Sequence, residues 1–378
     1  MLFMIFGLLL PTQLGKHFWP AFSFVSGIRV DYFSPTLYMT DILLFLLIVV
    51  MWGKVWQQVH KYAKIVLIAF LILIISWALR GFEPLFAYRA LQYGKILCVA
   101  LIFRYAAEHE KRTFLIGLGI SAIYMTILSF FQLYYRESLQ GVWWWVGERM
   151  YTGATPGISS VSIQGLKIVR PYGTFSHPNT MGGFYLVSLS VFFLGGLYWA
   201  AIPAATLVLL SFSRIATAGF AIFMLFTAFR THCLRCKYTK IALFVLLTAV
   251  AFVWKGSETS VVERLYTWRY GVSHLLKTLL QPPMLGDYLI PRTSLPFSGL
   301  FNQPIHNALL IFMSEWKIAG VLLLFIVVRR ILPAVPRITL VLLAIIALFD
   351  HYVLTQQQGL LLLGVIIGWR HVPAKTSE

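Results

Sequence analysis

Apolar runs of membrane-helix length follow one another along almost the whole chain, and they leave room for few folds. A helix that crosses a bilayer takes roughly 17–25 predominantly apolar residues. About twelve such windows begin near residues 1, 39, 64, 86, 113, 180, 198, 215, 239, 306, 331 and 352. The runs near 1, 198 and 331 are short or interrupted by proline, at Pro11, Pro203, Pro333 and Pro336. Of the 378 residues, 59% are hydrophobic and 12% charged, against about 25% charged in a soluble domain. The chain therefore reads as an all-α polytopic membrane protein. It is one integral membrane domain over residues 1–378, embedded in a lipid bilayer, with no separate soluble domain. Met1–Leu10, ahead of Pro11, carries no basic segment and no small-residue cleavage site. It reads as a short first helix and not as a signal peptide.

Lysine and arginine set the expected orientation. One series of short connections holds Lys54, Lys61, Lys64, Arg104, Lys111, Arg112, Arg230, Arg235, Lys237, Lys240, Arg329, Arg330 and Arg337, and continues into the tail with Arg370 and Lys375. The opposite series holds Lys16, Arg29, Arg80, Arg89 and Arg214. Short loops rich in Lys and Arg stay in the cytoplasm, so both termini are expected there. The net charge of +18 then reflects topology and anionic lipid, and no nucleic-acid partner is expected. Three cysteines make no disulfide framework. Cys233-Leu-Arg-Cys236 beside His232 lacks the second pair that a structural zinc site takes.

Two longer connections, about residues 136–179 and 255–305, fall on the outer side. Connections of that length in a compact protein are usually functional or disordered, and Trp143-Trp144-Trp145 suits a membrane interface better than disorder. The first connection ends in Arg170-Pro-Tyr-Gly-Thr-Phe-Ser-His-Pro-Asn179, a Pro/Gly-rich loop entering an apolar run. The second ends in His306-Asn307, with Glu315 about two turns deeper. Arg214, in Ser211-Phe-Ser-Arg214, sits at the tight turn between the seventh and eighth windows. Ionisable groups at a membrane boundary are costly and mark function. Arginine presents a permanent charge in a fork that matches phosphate oxygens, while histidine titrates near neutrality and serves as a base. The set suits a diphosphate whose charge is neutralised by arginine. Metal-dependent sugar transfer would call for paired carboxylates, and the outer loops hold scattered acids and no D-x-D. No metal and no cofactor are expected. Taken singly, each residue also has a structural role open to it: the arginines reach headgroups, His177 and His306-Asn307 cap helices, and Glu315 pairs with Lys317 or a neighbouring helix.

Arg170–Asn179 resembles the R-x-x-G-T-F-x-H-P-N element of the O-antigen ligase and polymerase superfamily. The stretch from His306-Asn307 through Glu315 to Gly320 is similar to that family's H-N-x-x-L-x-x-x-x-E-x-G-x-x-G element. Lys317 stands at a family glycine, which implies a helix less kinked or less closely packed there. Ser213-Arg214 is similar to the family's S-R pair, continued here by Ile215 where glycine is usual. Asp31 to Asp41 resembles the leading outer loop, and Asp350-His351-Tyr352 with Gln356-Gln-Gln358 the penultimate turn. The resemblance implies a twelve-helix GT-C-type glycosyltransferase in the inner (cytoplasmic) membrane. Such enzymes act at the outer face in cell-surface polysaccharide biosynthesis. They transfer a glycan from undecaprenyl diphosphate, with inversion and without metal, to an acceptor hydroxyl on a glycan, lipid or protein. Arg170 and Arg214 would form the diphosphate clamp and His306 the base, with Arg264 of Val262-Glu-Arg-Leu265 as a further arginine. His177, Asn307 and Glu315 are read as substrate-binding residues. Ligases and polymerases share these motifs. The other class open to such a chain is a carrier of the same lipid-linked glycan. Carriers, however, place polar residues at the bilayer midplane in paired broken helices, and no repeat is evident here.

Overall fold

A computed structural model describes residues 1–369 apart from 26, 62, 164–165, 254–257, 291–302 and 331. Lys255, Arg292, Arg370 and Lys375 lie outside the described residues. The helices are α1 (Leu2–Leu9), α2 (Met39–Val50), α3 (Trp52–Lys61), α4 (Ala63–Leu79), α5 (Pro84–Tyr105), α6 (Glu108–Tyr135), α7 (Pro178–Leu194) and α8 (Tyr198–Leu210). They continue as α9 (Arg214–Phe229), α10 (Leu234–Val253), α11 (Glu258–Thr278), α12 (Ala308–Arg330), α13 (Arg337–Phe349), α14 (Tyr352–Thr355) and α15 (Gln357–Gly368). An α-helix occupies each of the twelve apolar windows. Among the described residues three helices are long and apolar enough to cross a membrane: Pro84–Tyr105, Glu108–Tyr135 and Ala308–Ile326. Shorter apolar helices include Met39–Val50, Leu67–Leu79, Pro178–Leu194 and Gln357–Gly368. Among the described residues, four two-stranded antiparallel sheets decorate the connections, the longest pairing Ser160–Ile163 with Leu166–Val169.

Burial separates two kinds of apolar residue. Phe6, Phe103, Phe114, Phe175, Tyr185 and Phe192 are enclosed between helices, whereas Phe45 on α2, Phe70 on α4, Ile202 on α8 and Phe325 on α12 face outward. A soluble surface rarely carries so many exposed large apolar groups; these helices are those of a membrane protein. Helix contact is close where side chains are small. A Cβ at Gly117 of α6 would lie 2.0 Å from the Met4 carbonyl oxygen, so α1 rests on the α6 backbone as small-residue packing permits.

Two expectations about α12 and α5 need correction. Lys317 breaks α12, with φ 52° and ψ −137°, so the helix is kinked at this lysine and not straightened by it. Its side chain is fully buried, with Nζ 2.8 Å from Thr278 Oγ1 and 3.2 Å from Asp287 Oδ2. The opened backbone finds partners in the preceding segment: the Met284 N–H donates to the Glu315 carbonyl at 2.6 Å, and the Ile318 N–H to that of Leu279 at 3.0 Å. Those bonds offset a backbone conformation that costs a non-glycine residue ~1–3 kcal/mol. Arg89, counted above with the outer connections, lies instead inside α5 and is 1% exposed. It donates to both oxygens of Glu315, at 2.6 and 3.0 Å, and to the Leu354 carbonyl.

Candidate functional site

A cavity of about 2060 Å³ is lined by the ends of many elements. The loop before α2, the connection after α6, the α8–α9 turn, α11, the start of α12 and the α13–α14 turn all contribute. Arg170, His177, Asn179, Arg214, Arg264 and His306 line it together, and Asp350 and His351 join them. Residues spread from Arg170 to His351 along the chain thus share one cavity.

The Arg170 loop is shaped from below by Gln132 of α6. Its Oε1 accepts the Tyr172 and Gly173 N–H groups at 3.0 and 2.7 Å, and its Nε2 donates to the Gly173 carbonyl at 3.0 Å. Gly173 has φ +58°, and a Cβ there would meet the Met181 and Met125 sulfurs near 3.1 and 3.2 Å. Glycine suits both constraints. His177 then caps α7, its Nδ1 accepting the Asn179 N–H at 3.1 Å. Burial lowers the His177 pKa to about 3, with Arg170 adding to the shift, so the ring is neutral.

Arg170 spends its donors on the protein. Nε and Nη2 reach the Ser211 carbonyl at 2.9 and 2.6 Å, Nη1 reaches Ser159 Oγ at 2.8 Å, and Nη2 also reaches Asn179 Oδ1 at 2.6 Å. Of the five N–H groups of a guanidinium, one is left. Arg170 therefore ties its loop to the α8–α9 turn and lends the cavity its charge. Burial, with the like charges of Arg264 and Arg214, lowers its pKa to about 10; it stays protonated at neutral pH. Phe212 in that turn adopts φ 49°, and Ser213 caps α9 through Oγ and the Ala216 N–H. The turn delivers Arg214 at the first position of α9, exposed to the cavity. Among the described residues Arg214 has neither an ion pair nor a hydrogen bond. Among the described residues the Arg264 guanidinium is committed only through Nη1, which donates to the Phe349 carbonyl at 3.1 Å.

One turn along α11 from Arg264, Trp268 Nε1 donates to the His306 carbonyl at 2.8 Å and fixes that residue's backbone. His306 Nδ1 lies 4.0 Å from Asp350 Oδ1, and its ring stands 5.1 Å from that of His351. Burial lowers the pKa of both histidines, that of His351 to about 3. Burial alone would raise the Asp350 carboxyl; His351, His306 and Arg264 bring it below its ordinary value. The site thus holds a carboxylate between two neutral imidazoles, in the same cavity as the guanidinium groups.

Not every residue read from the sequence belongs here. Asn307 is buried, and its Oδ1 accepts the Leu310 N–H at 2.9 Å as the cap of α12. Glu315 is 0% exposed and accepts from Arg89, Tyr93 and the Gly286 N–H. Neither lines the cavity, so both support the site from outside. Asp350 and His351 are the residues that sequence reasoning left unassigned. An acid–histidine pair between two apolar runs was the available signal.

No family model, no curated protein and no solved structure matches the chain.

What the geometry can do follows from its parts. Paired guanidinium groups bind a dianion and stabilise charge that develops on it. A neutral imidazole beside a carboxylate accepts a proton and is stabilised once charged. Ala218, Ile222, Phe244, Leu265 and Ile345 add an apolar wall to the same cavity, so an anionic head and a hydrocarbon tail both find a matching surface.

Proposed function

We propose that the protein is a twelve-span, GT-C-type glycosyltransferase of the O-antigen ligase and polymerase kind. In this reading it sits in the cytoplasmic membrane with both termini inside and the cavity facing outward. It transfers a glycan from undecaprenyl diphosphate to an acceptor hydroxyl. The observation that carries the proposal is Arg214: a guanidinium without a protein partner among the described residues, sharing its cavity with Arg264 and with a His306–Asp350 pair. An ionised group is costly to hold at a membrane boundary unless a ligand uses it.

The chemistry divides among these residues. His306 removes the proton of the acceptor hydroxyl, and Asp350 stabilises the imidazolium that results. The acceptor oxygen forms its bond to the anomeric carbon from the face opposite the diphosphate, so the configuration inverts. The bond from the anomeric carbon to the diphosphate oxygen breaks, and its electron pair leaves with the diphosphate. Arg214 and Arg264 neutralise the charge gained there, without a metal ion. Arg170 contributes field and holds the turn that carries Arg214. The apolar wall receives the polyprenyl chain. Arg214→Ala is expected to lower transfer by ~10²–10³-fold, the usual cost of removing a group that stabilises developing charge, with membrane insertion unchanged. His306→Ala is expected to abolish transfer. Full activity in both variants would overturn the reading.

A further inference from the structure

The proposed reaction calls on His306 and Asp350; their convergence with His351 is a further feature, which that reaction does not use. His306 Nδ1 and His351 Nε2 each lie 4.0 Å from Asp350 Oδ1, and the three residues can offer ligand atoms within 4.8 Å of one another. Among the described residues this is the one group of histidine, cysteine and acidic side chains with such convergence. The His351 tautomer is set from outside. Thr355 Oγ1 lies 2.7 Å from His351 Nδ1 and 3.2 Å from the His351 carbonyl; with its one proton on that carbonyl, its oxygen accepts from Nδ1–H. That leaves Nε2 with a bare lone pair toward Asp350. His306 Nδ1 is shut off from solvent and has no hydrogen-bond partner among the described residues. Two imidazole nitrogens therefore converge on a carboxylate oxygen that the His351 backbone N–H already holds at 2.8 Å, neither imidazole within hydrogen-bond reach of it, and a cation draws such a group together.

We propose that His306, Asp350 and His351 form a binding site for a divalent transition-metal ion of the zinc class. Two imidazoles and one carboxylate with an open fourth position form a set that zinc takes. Metal–ligand bonds of ~2.0–2.2 Å place tetrahedral ligands ~3.3–3.6 Å apart, so each 4.0 Å separation closes by roughly half an ångström through ring rotation. The Thr355 contact is the outer partner that a ligating histidine normally has. Arg264, hydrogen-bonded to the carbonyl of the residue before Asp350, opposes any cation. It thereby favours an ion bonded through nitrogen over Mg²⁺ or Ca²⁺, which depend on oxygen ligands. An ion on His306 Nδ1 requires the proton on Nε2, the tautomer that cannot act as a base toward the cavity. Metal loading and transfer are then mutually exclusive. That last consequence rests on the proposed function; the binding itself does not.

A metal titration measures this binding directly. Full-length protein carrying Cys233→Ser and Cys236→Ser, which removes the other soft ligands, is stripped with chelator and titrated with Co²⁺ and Zn²⁺. One saturable equivalent is expected, with the visible absorption bands of tetrahedral Co²⁺. His351→Ala should abolish it, and Thr355→Val should weaken it by ~10–100-fold, as loss of an outer partner does. Absence of saturable binding in the folded protein would overturn the proposal, as would unchanged affinity in His351→Ala. Should His351→Ala fail to remain monodisperse, unchanged affinity in Thr355→Val overturns the proposal in its place. Failure of the transfer reaction leaves this result untouched, so the two readings fall separately.

Discussion

Glu315→Gln tests whether Glu315 holds the site from outside or touches substrate. The carboxylate accepts two bonds from Arg89, at 2.6 and 3.0 Å, one from the Gly286 N–H at 2.8 Å and one from the Tyr93 hydroxyl. The amide keeps the shape, removes the charge and turns one acceptor into a donor facing Arg89. The guanidinium stays buried at 1% exposure, now without a counter-charge. Removing one partner of a buried pair costs ~3–5 kcal/mol, which at ~1.4 kcal/mol per tenfold is roughly two to four powers of ten in the folding equilibrium. The double variant Arg89→Met, Glu315→Leu leaves no stranded charge and is expected to lose less than the two single variants summed. Equilibrium unfolding of purified protein in mild detergent, followed by tryptophan fluorescence, measures these losses. Transfer by the fraction that stays folded should be preserved. A Glu315→Gln protein that unfolds within ~0.5 kcal/mol of the parent, the range of an inconsequential substitution, yet loses transfer would refute the supporting role. Glu315 would then be a substrate contact.

Other expectations bear on separate parts of the molecule. At the kink of α12, Lys317→Gly should be more stable than Lys317→Ala by ~1–2 kcal/mol, because the positive φ strains alanine and not glycine; an ordinary helix position would reverse the order, and the same unfolding assay decides. His177 has an ordinary pKa of 6.5 and a folded value of about 3, so between these the unfolded chain binds the extra proton. Stability should therefore fall as pH drops below about 6.5, by up to ~2 kcal/mol at pH 5. His177→Asn keeps a capping side chain and should flatten the unfolding-versus-pH curve, whereas an unchanged slope would assign the effect to other groups. Arg170→Lys keeps one positive charge and loses the fork that holds Ser211 and Asn179. It should reduce both stability and transfer, where Arg214→Lys should spare stability alone.

The helical windows were legible because a long apolar run has few alternatives, and Arg170, Arg214 and His306 stood out because a polar group is conspicuous where such a run begins; Arg264, inside α11, entered only through the resemblance. What escaped was set by partners distant in sequence. Arg89 and Glu315 are 226 positions apart, and nothing local marks either as the other's counter-ion. Lys317 looked unsuited to a kink because its side chain was weighed alone; Asp287 and Thr278 from the preceding connection hold it there. The role of Arg170 shifted for a similar reason, since Ser211, Ser159 and Asn179 converge on it only in three dimensions. Asp350 and His351 stayed unassigned because a two-residue turn shows no periodic pattern. Short hairpins such as Phe24–Val25 with Ile28–Arg29 are below the length at which strand alternation can be read.

The most direct measurement incubates purified protein with a polyprenyl-diphosphate-linked glycan and a panel of hydroxyl acceptors, and analyses both products. Free polyprenyl diphosphate and a new glycosidic bond of inverted configuration are predicted, both reduced ~10²–10³-fold with Arg214→Ala and lost with His306→Ala. Recovery of the lipid-linked glycan intact, bound or moved across a vesicle membrane without any new glycosidic bond, would contradict the proposed transfer.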